Sequence, residues 1–305
     1  MTRILFCADY WNPLIADCAY ETEANVVEEL HLNSSLITIE ALVEQKNALR
    51  AIRKVEPAST EEPAIYRGWM LKPQVYAQLF TALAEKGLPL INTPAAYTHC
   101  HYLPESYHLI EDCTPRSTWI KTGPDVPMDE VMRALQTFGD KPVIVKDFVK
   151  SRKHEWNEAC YIPCASDRHA VERVVRRFLQ LQGEDLNEGL VFREFIEFEP
   201  LAPHSKSGMP LIKEFRLFVF DGRIICWTPY WEEGSYGDNK DDFPPIDTFR
   251  HVAQQIQSRF FTMDVARKRD GTWNIIELGD GQVAGLPAKT DVQAFYRALT
   301  GPLIS

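Results

Sequence analysis

Apolar and polar positions are most tightly patterned near the C-terminal end, where FFTMDVAR (260–267) and TWNIIEL (272–278) flank Asp270-Gly271. β-Branched and aromatic runs on either side of an Asp-Gly pair predict a β-hairpin. With a two-residue turn Arg269 pairs with Thr272, and counting outward sets Asp264 directly opposite Glu277. A second hairpin is predicted over 214–220 and 223–227 about Asp221-Gly222, where the same count pairs Arg216 with Trp227. Upstream, strands are predicted at 3–8, 35–40 and 88–91. A helix over 73–86 starts at Pro73 and stops at Gly87, and another spans 94–110. That alternation implies an α/β N-terminal region. There follow a strand (STWIK, 117–121), a helix at 127–138, a strand ending at Lys146 and a loop at 149–165. A helix over 167–182, capped by Ser166, carries the stripe Val171, Val174, Val175, Phe178 and Leu179. The strand LVFREFIEF (190–198) comes next, then loops at 200–211 and 232–245 and helices at 247–259 and 291–299.

Composition narrows the picture. The 305 residues can bury a large core or two to three subdomains, and the net charge of −10 argues against a general nucleic-acid or membrane-surface binder. Seven cysteines without a CxxC pair predict reduced thiols, and neither a signal-peptide core nor an apolar run of membrane-spanning length is visible. The expectation is a cytoplasmic protein.

The candidate chemistry gathers on the strands. Opposed residues share a face, so Asp264 and Glu277 would repel unless a hard cation lies between them or both face water. Mg²⁺ takes one or two carboxylates plus phosphate oxygens, and Asp280 offers a third oxygen. Lys146 ends a strand before a loop carrying Lys150, Arg152, Lys153 and His154, either a phosphate-holding set or a solvated basic loop. Arg216 offers a planar fork for a phosphate, or a cation–π partner for Trp227. Arg67, with Trp69 beside it, is either a carboxylate-binding residue or a surface arginine next to a core tryptophan. His99 and His101 are two apart, on different faces of a helix, and His204 and His251 have no assigned partner. No HExxH, GxSxG or Walker A pattern occurs.

In this order the features resemble the ATP-grasp superfamily. The resemblance implies an α+β fold with an N-terminal α/β subdomain (1–112), a small subdomain (113–189) and a C-terminal subdomain (190–305), the last two clasping ATP. It implies that Lys146 and Arg216 hold phosphates and that Arg193, Glu194, Phe195 and Ile196 form the adenine-facing hinge strand. Glu197 or Glu199 falls at the ribose, and Asp264 and Glu277 bind Mg²⁺. The usual asparagine is missing from ELGD, so Asp280 would substitute. The loop after Lys146 lacks glycines, and only Lys121 stands in for an earlier nucleotide-binding lysine. The segments LVFREF, KEFRLFVFDGRII and FFTMDVAR…WNIIELGDG are also similar to a divergent branch that includes eukaryotic cell-division-cycle proteins assisting assembly of a translation initiation factor. The implied activity is ATP- and Mg²⁺-dependent ligation of a carboxylate to an amine or other nucleophile through an acylphosphate. The alternatives are an ATP-binding assembly factor for a protein partner, or a phosphotransferase. The superfamily's use of the N-terminal subdomain for the second substrate points to Arg67 as the acceptor residue.

Overall fold

The computed structural model describes residues 2–203, 210–239 and 242–301. His204, most of the 200–211 loop and residues 240–241 of the acidic loop lie outside them. The chain opens with a parallel sheet, order β2-β1-β3, of β1 (Arg3–Cys7), β2 (Ser34–Ile37) and β3 (Ala64–Arg67). Leu90 adds a single parallel bridge to Ala64. Helices α1 (Glu21–Glu29), α2 (Ile39–Val43) and α3 (Ala48–Ala51) fill the connections, and α4 (Pro73–Ala84), α5 (Pro94–His101) and α6 (Leu103–Ile110) follow. The expected helix over 94–110 is thus two helices. Tyr102 is extended between them, because Pro104 has no N–H to continue the ladder.

The second sheet is antiparallel, order β4-β7-β5-β6, from β4 (Ser117–Lys121), β5 (Val143–Asp147), β6 (Tyr161–Ile162) and β7 (Gly189–Glu194). Helices α7 (Met128–Leu135), α8 (Trp156–Ala159) and α9 (Arg168–Gln182) accompany it. Asp167, not Ser166, caps α9, accepting from the His169 and Ala170 amides, while the Ser166 hydroxyl donates to Asp140. Both edges of β7 are paired, by β4 and β5, so the boundary expected at 189/190 moves past Glu194.

A short ribbon, β8 (Pro200–Pro203) with β9 (Pro210–Ile212), leads into the third sheet, order β11-β10-β12-β13. It comprises β10 (Glu214–Phe220), β11 (Arg223–Pro229), β12 (Phe260–Arg267) and β13 (Trp273–Asp280), with α10 (Ile246–Gln255) and α11 (Val292–Thr300). The Asp270-Gly271 turn is one residue longer than expected. Lys268 and Thr272 close it, Gly271 adopts φ +84°, and Arg267 pairs with Trp273. A bulge then leaves Ile276 unpaired and restores the Asp264–Glu277 pair. In the other hairpin the turn is as expected, but a bulge at Ile225 shifts Arg216 from Trp227 to Thr228.

Each sheet buries one core of its own, and a further core fuses the first and third. Ile4, Phe6 and Ile65 of the N-terminal sheet pack with Phe218, Phe260 and Phe295. These aromatic rings are essentially unexposed, each worth roughly 2–3 kcal/mol of burial.

Candidate functional site

Strand alternation builds the floor of a cleft of about 420 Å³ on one face of the third sheet. Arg216, Asp264 and Glu277 are consecutive partners across β10, β12 and β13, and Thr262 pairs with Gly279 two residues along. Asp264 is 3% exposed and accepts two bonds from Arg216, at 2.8 Å from Nε and 2.7 Å from Nη2. Arg216 also donates to the Gly285 carbonyl and lies 4.7 Å from the ring centroid of Tyr230. Tyr230 therefore takes the cation–π place expected of Trp227. Burial opposes the charge of Arg216, but the Asp264 carboxylate outweighs it and raises its pKa.

Glu277 accepts from Lys146 Nζ at 2.5 Å. Lys146 arrives on β5 of the small sheet and is 6% exposed. Burial alone would raise the Glu277 pKa; Lys146, then Lys153, hold it below the usual carboxylate value. The two carboxylates thus share a face, as the hairpin count required, and each is matched by a cation from a different element. Lys150, Lys153 and His154 line the same cleft, so the basic loop faces the site rather than bulk solvent alone.

Sequence reasoning missed a third carboxylate. Glu214 lies two residues before Arg216 on β10, hence on the same face, and is buried. Burial pushes its carboxyl up to about 7, against the pull of Lys153, with Asp264 adding to the rise. The i, i+2 rule applied to Arg216 was enough to find it. Lys153 is raised in turn: burial works against it, and Glu214 and Glu277 prevail.

Other expected residues go elsewhere. Asp280 pairs with Phe261, one step out of phase with Glu277, and so belongs to the opposite face of β13. Its oxygens accept from Asn92 Nδ2 at 2.6 Å, the Gln282 amide at 2.9 Å and Gln282 Nε2 at 3.3 Å, and burial raises its carboxyl to about 7. Asp280 is a structural acid joining the hairpin to the N-terminal subdomain, not a third oxygen beside Asp264 and Glu277.

Arg67 is neither an acceptor residue nor a surface arginine. It is fully buried, forks onto Glu23 at 2.8 Å through both Nε and Nη2, and donates to the carbonyls of Gly281 (2.6 Å) and Ala284 (2.9 Å). No donor is left for a substrate carboxylate. Trp69, half-exposed, donates instead to Asp17.

The hinge expectation divides. The Arg193 side chain crosses to β13 and donates to the Ile275 and Ile276 carbonyls and the Thr114 hydroxyl; burial lowers its pKa to about 10. Glu194 is paired with Lys141 and Arg116. The amides of Glu194 and Phe195 donate to Arg116 and Pro142, so backbone donors for an adenine begin at Ile196. Glu199 pairs with Lys213 at 2.7 Å and Arg267 at 3.5 Å, Glu197 with Arg269. Lys121, paired with Glu188, does not line the cleft.

The donor set fits a hard divalent cation: two opposed carboxylates, with phosphate and water oxygens to complete the shell. Among the described residues no group of three metal-ligating side chains exists, so protein ligands alone would not close that shell.

Residues 137–299, more than half the chain, match an ATP-grasp domain model, the third family of its clade. No curated protein matches the chain. Among solved structures it is similar to the ATP-grasp ligase PsnB complexed with minimal precursor, Mg and ADP, at 14% identity and TM-score 0.56 over 98% of this chain and 96% of that one. It is also similar to the D-cycloserine synthetase DcsG, at 13% identity and TM-score 0.58 over 98% of both chains. A RimK domain ATP-grasp protein from Sphaerobacter thermophilus gives 14% identity and TM-score 0.56, over 96% and 98%. At these identities the likeness establishes the fold.

Proposed function

The chain belongs to the ATP-grasp family, and from that premise we propose that it is an ATP- and Mg²⁺-dependent ligase joining a carboxylate to an amine or other nucleophile. The observation that carries this reading is the crossed charge pattern in the cleft: Asp264 with Arg216, Glu277 with Lys146. A Mg²⁺–triphosphate has the complementary pattern. Its cation suits Asp264 and Glu277, and its phosphates suit Arg216 and Lys146, so each ion pair is exchanged for a ligand contact of the same sign. Mg²⁺, when bound, neutralises charge developing on the transferred phosphoryl group. Lys146 and Arg216 orient the phosphate oxygens, and Lys150 and Lys153 screen the anion from above. A carboxylate takes the γ-phosphoryl group, releasing ADP, and the nucleophile then displaces phosphate from the acylphosphate.

The likeness to PsnB, crystallised with a precursor, and to MdnC, bound with precursor peptide MdnA, supports a peptide carboxylate as one class of acceptor. Seven free thiols suit a reducing cytoplasm. Ile196 and Glu199 are assigned to the adenine and ribose end.

A second reading, an ATP-binding assembly factor akin to the cell-division-cycle proteins, draws on the three shared segments and on the exposed apolar loop of Tyr10, Trp11 and Leu14. Product analysis separates the readings. A ligase forms ADP and phosphate only with both co-substrates present, and a phosphotransferase retains the phosphate on its product. An assembly factor captures a defined protein partner with no ligated product. Absence of Mg²⁺-dependent ATP binding would remove all three.

A further inference from the structure

Deep in the cleft wall, the His101 side chain has one nitrogen without a partner. His101 closes α5, is 6% exposed, and lines the cleft beside Met70 and Gly279. Its ring stacks on Tyr97 at 4.7 Å between centroids, and Tyr97 stacks on Tyr76 at 4.0 Å. Tyr97 is itself anchored, donating its hydroxyl to the Leu71 carbonyl at 2.7 Å. The imidazole is therefore fixed in plane. Its Nδ1 accepts from the Asp280 backbone N–H at 3.4 Å, which requires Nδ1 to be bare and places the ring proton on Nε2. That Nε2 is buried and has no hydrogen-bond partner.

We propose that His101 Nε2–H is a hydrogen-bond donor to the carboxylate that accepts the γ-phosphoryl group, marking the acceptor subsite at the junction of the N-terminal and C-terminal subdomains. This rests on the ligase reading of the same cleft. Three observations support a carboxylate rather than a cationic or apolar group. The nitrogen facing the cleft can only donate, since the tautomer is set from behind. Burial lowers the imidazole pKa to about 4, so the ring is a neutral donor at neutral pH and does not compete for Mg²⁺-bound phosphate as a charge. Lys146 and Lys150, both lining the cleft, favour an anion there. A buried donor left unpaired is a standing cost that an incoming oxygen removes. The residue also stands where Arg67 was expected to act: it comes from the N-terminal subdomain, and unlike Arg67 it has a donor to spare.

The test uses the intact protein with ¹⁵N-labelled imidazoles and acetate as the carboxylate probe. The expected result is an Nε2–H tautomer at neutral pH, with its proton moving downfield saturably as acetate is added to the complex with Mg²⁺ and AMPPNP, while chloride at equal ionic strength has no effect. His101→Asn, whose side-chain oxygen still accepts from the Asp280 amide but does not reach the cleft, should weaken acetate about tenfold or more. His101→Gln, whose amide nitrogen reaches as far as Nε2, should recover part of that loss. An Nδ1–H tautomer overturns the proposal. So does a proton that AMPPNP alone moves and acetate then leaves unchanged, which would make His101 a phosphate contact, or one that neither moves, which would leave only a water beside it. The last two outcomes leave the ligase reading standing if AMPPNP binds. Conversely, an acetate shift in a protein that binds no AMPPNP keeps the carboxylate subsite and removes the ligase reading.

Discussion

Replacing Arg67 by alanine should destabilise the whole protein rather than weaken one substrate. The guanidinium is fully buried and saturated: Glu23 takes Nε and Nη2, and the Gly281 and Ala284 carbonyls take Nη1. Its removal leaves Glu23 buried, held only by the Tyr296 hydroxyl donating at 2.5 Å among the described residues, and strips two carbonyls of their donor. Breaking a buried ion pair from one side costs about 3–5 kcal/mol, against a total folding stability on the order of 5–15 kcal/mol. With a urea m-value of about 2–3 kcal/mol/M, the midpoint should fall by roughly 1–2 M. Arg67→Lys keeps the charge but not the fork and should recover only part of it. The assay is urea unfolding followed by tryptophan fluorescence, with AMPPNP affinity measured under conditions where both proteins are folded. An unchanged midpoint combined with a selective loss of acceptor use would refute this reasoning and return Arg67 to the cleft.

Other outcomes follow from the charge pattern. Glu277→Gln should abolish turnover with an unchanged circular dichroism spectrum; normal turnover removes Glu277 from the metal site. Lys146→Ala and Arg216→Ala should each weaken Mg²⁺–ATP about ten- to a hundredfold by calorimetry, and Arg216→Lys should not restore the lost affinity in full. Unchanged affinity in both alanine variants would leave the phosphate clamp without support. Glu214 adds a pH effect. Its folded pKa, about 7, lies above the ordinary 4.5, so between those values the folded state holds a proton that the unfolded chain has released. Stability is therefore lost as pH rises through that window, by up to about 3 kcal/mol. Glu214→Gln should gain on the wild type between pH 5 and pH 8 in urea midpoint, and a constant difference would show that Glu214 titrates normally.

Periodicity carried the architecture because helices and strands here obey it: the stripe on α9 and both C-terminal hairpins are where the pattern set them. Registers were less legible, since turn length and bulges leave little trace in residue type. At Asp270-Gly271 a longer turn and a bulge offset each other, and Asp264 meets Glu277 for a reason the count did not contain. At Asp221-Gly222 the turn was counted correctly and an uncounted bulge moved Arg216 off Trp227. Asp280 was misplaced by an alternation that could have been applied: three residues from Glu277 is an odd number, hence the other face. Arg67 and His101 were opaque for another cause. Their partners lie 214 and 179 residues away, at Gly281 and Asp280, and no local pattern reports such contacts.

Asn92 shows what those distant contacts do to genetics. Its amide donates to the Phe260 carbonyl and to Asp280, and its oxygen accepts from the Arg259 and Phe260 amides, so a residue of the first subdomain holds the root of the hairpin that carries Asp264 and Glu277. With Phe6 and Ile65 packed against Phe218 and Phe260, the first hundred residues act as the hairpin's scaffold. In a mutational scan scored on activity, substitutions at Asn92, Phe6 or Ile65 would mimic nucleotide-site lesions while touching no nucleotide. A fragment starting at residue 113 would lose the hairpin's support along with the acceptor wall. The heredity of the active site is thus spread over both ends of the sequence, and a survey confined to residues 137–299 would overlook half of what keeps it in place.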